Sequence, residues 1–265
     1  MIAWLRVAFA GIVILLASIL LMPWQLLALR YDWKMRRWLP RMWHRTVCFC
    51  LGIRIHIRGN METRRPLMLC ANHSSWMDIM VLSAVADVAF IAKTEVRDWP
   101  IFGTLAKLQK SVFVVREEKH KTGNQANEIA GRMADGEIVV LFPEGTTSDG
   151  NRLLEVKSSL FGAAAMAVPA SPSGTVYVQP VAVAYTKAQG LPMGRYHRPL
   201  ASWPGDVEML PHLKDMLRCG AFDVEVHFGE AIPYRGDSKR KEVSATIAHR
   251  IRAMLGAALR GREAA

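Results

Sequence analysis

Read for its apolar and polar positions, the chain opens on one long apolar stretch and continues as short apolar runs separated by helix-period segments. Residues 7–29 contain no charged side chain, a length that as a helix crosses a hydrocarbon core of about 30 Å. Pro23 and Gln25 interrupt that stretch and leave residues 7–22 as its cleanest block, roughly 24 Å at 1.5 Å per residue. A full crossing and a dip into one leaflet both stay open. Residues 38–51 predict a second, interfacial helix after a break around Leu39-Pro40.

Residues 53–59 alternate strictly, predicting a half-exposed strand closed by a Gly59-Asn60 turn. Residues 66–71 are apolar throughout, as in a strand buried on both faces, and 79–85 suit a helix. Further strands are expected over 87–92, 112–115, 137–142, 176–184 and 222–228, and helices over 100–108, 124–134, 158–168 and 238–260. Pro180 lies inside one predicted strand and argues for a sheet edge or a local distortion. The Gly- and Pro-rich stretch 189–206 predicts a surface loop. Strands separated by helices point to an α/β layer fold with a sheet flanked by helices. Residues 1–52 then form an N-terminal membrane-anchoring module and 53–265 the α/β domain.

Composition narrows the partners. The formal charge of +11 on 265 residues calls for an anionic partner (nucleic acid, lipid headgroups or a phosphorylated substrate) unless it serves solubility alone. Arg30, Lys34, Arg36, Arg37, Arg41 and Arg45 follow the apolar stretch and only Arg6 precedes it. That asymmetry predicts a retained anchor in the cell inner membrane with the main domain on the cytoplasmic side. Trp24, Trp33, Trp38 and Trp43 are interleaved with these cations, which suits a headgroup layer. The adjoining apolar stretch has no place in a nucleic-acid surface. The four cysteines lack paired C-x-x-C spacing, so neither a zinc site nor any other metal is implied. They form no disulfide framework either, which fits a reducing compartment, and Cys48 and Cys50 are expected as buried thiols.

Candidate chemistry centres on Asn72-His73-Ser74-Ser75-Trp76-Met77-Asp78. Helical positions five apart diverge by about 140°, so His73 belongs in the turn before the helix and Asp78 in its first turns. From there the carboxylate can bond one ring nitrogen and leave the other to take a proton. The competing reading is structural: Ser75-x-x-Asp78 is similar to a capping box, with Asp78 satisfying backbone donors only. His56 and His227 read as strand-face residues, the first solvated.

A second stretch, Phe142-Pro143-Glu144-Gly145-Thr146, follows another buried strand. With Asn72-His73-x4-Asp78 it resembles the glycerolipid acyltransferase family, nearest its 1-acyl-glycerol-3-phosphate (lysophosphatidate) acyltransferase branch. Blocks around Lys93-Thr94-Glu95-Val96, Phe113-Val114-Val115-Arg116 and Val178-Gln179-Pro180-Val181 fall in the family's order, and the resemblance spans residues 66–185. It implies a mixed, largely parallel sheet flanked by helices. It also implies acyl transfer from a thioester of acyl carrier protein or coenzyme A to a lysolipid hydroxyl, with no bound cofactor. His73 is then the base and Asp78 its orienter, while Lys93, Arg116, Glu144, Gly145 and Thr146 meet the acceptor. Glu144 has the alternative role of bracing its own loop. The chain departs from the pattern at Thr147, where many lysophosphatidate enzymes carry arginine, and at Val115, where an acidic residue is common. The run from Thr146 to Arg152, with Lys157 to Phe161, is similar to a bacterial branch containing lyso-ornithine-lipid acyltransferases, and Arg152 or Lys157 offers a replacement cation. The expected acceptor is lysophosphatidate, with lyso-ornithine lipid second. A non-catalytic, membrane-tethered module that binds anionic lipid is the rival of another class.

Overall fold

The computed structural model describes residues 2–114, 122–205 and 207–261. Strand β2 (Leu67–Ala71) sits in the middle of its sheet, and all its residues are buried. Leu67, Leu69 and Ala71 pack with helices α2 (Met35–Leu51) and α3 (Met77–Val85) on one face. Met68 and Cys70 pack with α5 (Thr122–Ala134), α6 (Gly162–Ala167) and α8 (Arg240–Leu259) on the other. A strand covered on both faces has no polar position to offer, which is why its sequence is unbroken apolar.

The sheet runs β1–β8–β6–β2–β5–β3–β4. Strand β2 is parallel to β5 (Ile138–Leu141) and β6 (Val176–Ala188), β5 to β3 (Val88–Lys93), and β3 to β4 (Val112–Val114). Five neighbouring strands (β6, β2, β5, β3 and β4) thus end on one edge. Strands β8 (Phe222–Phe228) and β1 (Arg54–Arg58) run the opposite way, and β7 (Leu191–Pro192) and β9 (Ile232–Tyr234) pair antiparallel with β6. This is the mixed, largely parallel sheet flanked by helices that the resemblance implied. After β1, Gly59 turns at φ 71°, and a Cβ there would collide with the Phe228 carbonyl, so the turn requires glycine.

Three expectations need correction. Of the two readings of Pro180 the edge fails and the local irregularity holds: β6 is flanked by β2 on one side and by β9 and β8 in succession on the other, with a break between them at 179–180. Its carbonyl accepts from Gly229 N–H, so its missing donor faces the gap where β9 gives way to β8. Gln179 fills that gap, its amide donating to Asn60 and Gly229 carbonyls and accepting from Glu62 N–H. Second, the expected surface loop is mostly exposed over residues 189–205 but is not featureless. These residues carry β7 and a 3-10 turn (Arg198–Leu200), bury Met193, Ala201 and Ser202, and bond Trp203 N–H to the Ser74 carbonyl at 2.6 Å. Third, Cys50 is half-buried, whereas Cys48 lies in the core.

The N-terminal helices also differ from expectation. Helix α1 (Ile2–Arg30) continues through Pro23, and α2 continues through Pro40 without a break. In α2 the proline deprives the Arg36 carbonyl of its i+4 donor, and the Gln25 side chain supplies another, donating to Arg36 O at 3.1 Å and to Leu108 O at 2.7 Å. The polar residue that interrupts the apolar stretch is therefore a buried tie between α1, α2 and α4 (Phe102–Leu108). Further along α1, Ser18 accepts from the Trp43 indole and Arg6 donates to the Leu217 carbonyl at the end of α7 (Met209–Cys219). The other side of α1 is exposed: within Trp4–Arg30 an 18-residue window reaches a mean hydropathy of 2.5, and the helix is long and apolar enough to cross a membrane.

A substitution pair tests the Gln25 tie. Gln25→Ala strands two carbonyls and should destabilise the chain by about 2 kcal/mol. Adding Pro40→Ala restores an N–H to Arg36 O and should recover part of that loss. Denaturant titration of the detergent-solubilised chains reads both, and additive losses would contradict the assignment.

Candidate active site

Strand β2 delivers the site. Its ladder stops at Asn72, whose side chain replaces two rungs by donating to the Val183 carbonyl and accepting Val183 N–H. The chain then turns, and α3 starts at Met77. His73 lies in the turn and Asp78 in the first turn of α3, with His73 Nδ1 2.9 Å from Asp78 Oδ2. Asp78 is fully buried. Its Oδ2 also accepts from Ser74 N–H at 2.7 Å and Ser75 N–H at 2.9 Å, and its Oδ1 accepts from the Tyr185 hydroxyl at 2.8 Å. Backbone amides only donate, so Oδ2 is an acceptor toward the ring as well. Nδ1 therefore carries the hydrogen, and Nε2 keeps its lone pair.

Both readings of Asp78 hold at once. The carboxylate satisfies backbone donors at the start of α3 and orients the imidazole. It is not a capping box, since Asp78 N–H donates to the Ser75 carbonyl rather than to its side chain. Burial, and next the Asp78 charge, push the Tyr185 phenol well above its ordinary pKa and hold it as a donor. Phe142 stacks on the His73 ring at a centroid distance of 4.0 Å, and Phe90 stacks on Phe142 in turn. The His73 side chain retains 18% of its exposure, so the ring is gripped on one side and open on the other.

The second stretch lies beside the first because β5 is the neighbour of β2. Glu144 is 2% exposed, and its two oxygens accept from His73 N–H and Leu154 N–H, each at 2.6 Å. Both oxygens face the protein, so Glu144 braces the loop to the histidine segment, the second of the roles weighed for it. Gly145 follows at φ 73°, a conformation that favours glycine. Thr146 is exposed, with its hydroxyl beside Gly205. Ser148 N–H then donates to the His73 carbonyl at 2.9 Å, and Gly150 rests against Ser74 and Ser202.

Lys93 ends β3 on the same edge, exposed, two strands from β2, or about 10 Å at the usual strand spacing. Val115 and Arg116, one and two residues past the end of β4, lie outside the described residues. Arg152 and Lys157 are exposed, and Lys157 N–H donates to the Pro143 carbonyl. His56 is half-exposed and paired with Asp223, while His227 is buried on its strand face against Glu225. Among the described residues no group of three His, Cys, Asp or Glu side chains is placed to hold a metal ion.

Tyr185 and the Asn72 clamp are the functional residues that spacing did not reveal. Tyr185 reads as one more apolar position of a strand, and nothing near it in sequence announces a carboxylate partner 107 residues away. The bracing of Glu144 generates a pH prediction. Burial pushes its acid from the ordinary 4.5 up to about 7, against the two backbone bonds. The folded chain then holds a proton that the unfolded chain releases, so stability should fall as pH rises from 4.5 to 7. The slope from this group is at most about 1.4 kcal/mol per pH unit. Unfolding free energies measured across that window should lose this component in Glu144→Gln.

Comparison with known proteins agrees with this geometry. An acyltransferase family model matches residues 52–184. The chain is 61% identical to a lyso-ornithine lipid O-acyltransferase of Rhizobium meliloti, over 99% of this chain and 90% of that protein. It is 50% identical to one of Brucella abortus, over 99% and 98%. Its fold matches the crystal structure of a 1-acyl-sn-glycerophosphate (LPA) acyltransferase from Thermotoga maritima with a TM-score of 0.69, at 21% identity, over 100% of this chain and 97% of that one. With a buried carboxylate aiming one imidazole out of the carboxyl edge of a parallel sheet, and with relatives of this extent, the chain belongs to the acyltransferase family and is an O-acyltransferase.

Proposed function

We propose that the chain transfers a fatty acyl group from a thioester to the hydroxyl of lyso-ornithine lipid, with His73 as general base. The observation that carries the chemistry is the Nδ1–Asp78 bond, which leaves Nε2 as the ring's proton acceptor on a side chain that keeps part of its exposure. As the lipid hydroxyl oxygen attacks the thioester carbonyl, Nε2 takes its proton. The tetrahedral adduct collapses, the C–S bond breaks, and the departing thiolate recovers that proton from the imidazolium, leaving an ester and a free thiol. Asp78 steadies the transient positive charge and Tyr185 steadies Asp78. No acyl-enzyme is needed. The thiol belongs to acyl carrier protein or coenzyme A, which acts as a co-substrate.

Two observations favour lyso-ornithine lipid over lysophosphatidate. The relatives matching nearly the whole chain carry the former name, and the loop has Thr147 where a phosphate-gripping arginine is common. Lyso-ornithine lipid presents one carboxylate and one ammonium and no phosphate, so its reader needs one charge of each sign. The loop supplies them. Burial raises the Asp149 carboxyl, but the donors of Asn151 and the nearby Arg152 and Arg195 outweigh it and hold the group below its ordinary pKa, hence ionised. Asp149 suits the ammonium, and Arg152 suits the carboxylate. Lys93 and Thr146 flank the acceptor from the same edge, and Gly145 lets its backbone approach.

The exposed apolar side of α1, with Trp24, Trp33 and Trp38 exposed nearby, suits a chain held at the inner membrane by α1 and α2 with its catalytic edge in the cytoplasm. A scaffold that only binds lipid has no use for a buried carboxylate orienting a half-open imidazole.

Three measurements test this. His73→Ala should reduce kcat by about 10² to 10⁴-fold, and unchanged turnover at equal membrane binding would remove the mechanism. Tyr185→Phe should lower kcat about tenfold or more while leaving KM for the acceptor in place, since it loosens Asp78 without touching substrate. Offered both acceptors, the purified enzyme should show the higher kcat/KM with lyso-ornithine lipid, and Asp149→Asn should narrow that preference. A preference for lysophosphatidate would reverse the acceptor and leave the chemistry standing.

A further inference from the structure

A second concentration of charge lies at the opposite edge of the sheet, where the parallel strands begin. There a cavity of about 390 Å³ is walled by the starts of β3 and β5, by the residues preceding β2 and by the first turns of α2. Its size falls within the range of small-molecule sites. Strand β2 separates it from His73 by roughly 16 Å at 3.3 Å per residue, so it is not the catalytic pocket.

Five cations converge on this cavity from separate elements: Arg36, Arg37 and Arg41 of α2, Arg65 before β2, and Lys110 after α4. Two carboxylates, Asp87 and Glu137, share the lining. Glu137 is taken by Lys110 at 2.6 Å, and Arg36 pairs with Asp32. What remains is Arg37, Arg41 and Arg65 against Asp87. The hydrogen bonds these arginines make go to backbone carbonyls (Arg37 to Asp135, Arg41 to Ala84, Arg65 to Glu62 and Arg64), which orient the guanidinium groups without cancelling their charge. Three half-buried guanidinium groups in one cavity with an unmatched positive charge form a receptor for a phosphate, which each can meet through two parallel donors.

The surroundings identify where that phosphate comes from. Arg36 of the lining pairs with Asp32 in the turn that follows the apolar helix α1; Tyr31 and Trp33 of that turn are exposed, as is Trp38 beside Arg37 on α2. Aromatic rings and guanidinium groups at the border of an apolar surface match the headgroup layer of a membrane. We propose that this cavity binds the phosphate of an anionic phospholipid, distinct from the acyl acceptor, and seats the first turns of α2 at the membrane surface. Arg37 and Arg65 bind the phosphate. The reading does not depend on which lysolipid is acylated.

The test uses the full-length purified chain with vesicles of phosphatidylcholine alone or mixed with phosphatidylglycerol. Arg37→Gln/Arg65→Gln is compared with Arg30→Gln/Lys34→Gln, which removes the same charge from the neighbouring α1–α2 junction, outside the cavity lining. Acyl transfer in detergent, unchanged in both pairs, reports an intact fold. The cavity pair should lose the gain in binding that phosphatidylglycerol confers, about fivefold per cation, and the outside pair should keep most of it. Equal losses in both pairs would reduce the cavity to part of a diffuse surface field and overturn the proposal. A third arm offers inorganic phosphate. If it raises the melting temperature of the wild type but not of the cavity pair, and yet leaves the wild type bound to the mixed vesicles, the site belongs to a soluble anion and the lipid assignment fails; release of the wild type alone supports the lipid assignment. Should the cavity pair unfold, Arg37→Gln alone is read in the same way: a several-fold loss supports the proposal and no loss removes it.

Discussion

Everything at the catalytic edge depends on one buried carboxylate. Removing Asp78 from water is tolerable only because three protein donors and the imidazole converge on its two oxygens. Those donors come from the turn after β2 and from the far end of β6. The group therefore joins two strands, starts a helix and fixes a tautomer together. Its stability and its function cannot be separated, because the bonds that satisfy the charge are the bonds that aim the ring.

How much of this was legible from residue order varies with where each partner lies. The five-residue spacing of His73 and Asp78 already placed one in a turn and the other on a helix, since both partners are local. The continuous apolar run of β2 announced burial on both faces. Pro40 and Pro180 misled for a common reason: a proline removes a local donor, and in each case the compensation is a side-chain bond between segments distant in sequence. Gln25 reaches across from α1 to the stranded Arg36 carbonyl, and Gln179 fills the gap that Pro180 faces. Tyr185 was invisible for the same cause. Its role exists only once β6 has been laid beside β2.

The two ends of the sheet divide the labour. At the carboxyl ends of β2, β5 and β3 the chain gathers His73, the Glu144 loop and Lys93, as open parallel sheets generally allow. At the amino ends, the cations of α2 and its neighbours face away from the chemistry, toward the turn where α1 and α2 meet. Gln25 ties the apolar helix to this frame from within, so the exposed apolar surface of α1 and the scaffold that positions His73 form one packed body.

The double grip of Glu144 has a consequence for how such enzymes diversify. By holding His73 N–H with one oxygen and Leu154 N–H with the other, it closes residues 145–153 into a ring with a fixed base. Side-chain exchanges within that ring that keep the Ser148 bond to the His73 carbonyl change the surface the loop presents while leaving the anchoring of the His73 backbone in place. Thr147, where an arginine often stands, is such an exchange: a new lock face mounted on an unchanged bolt.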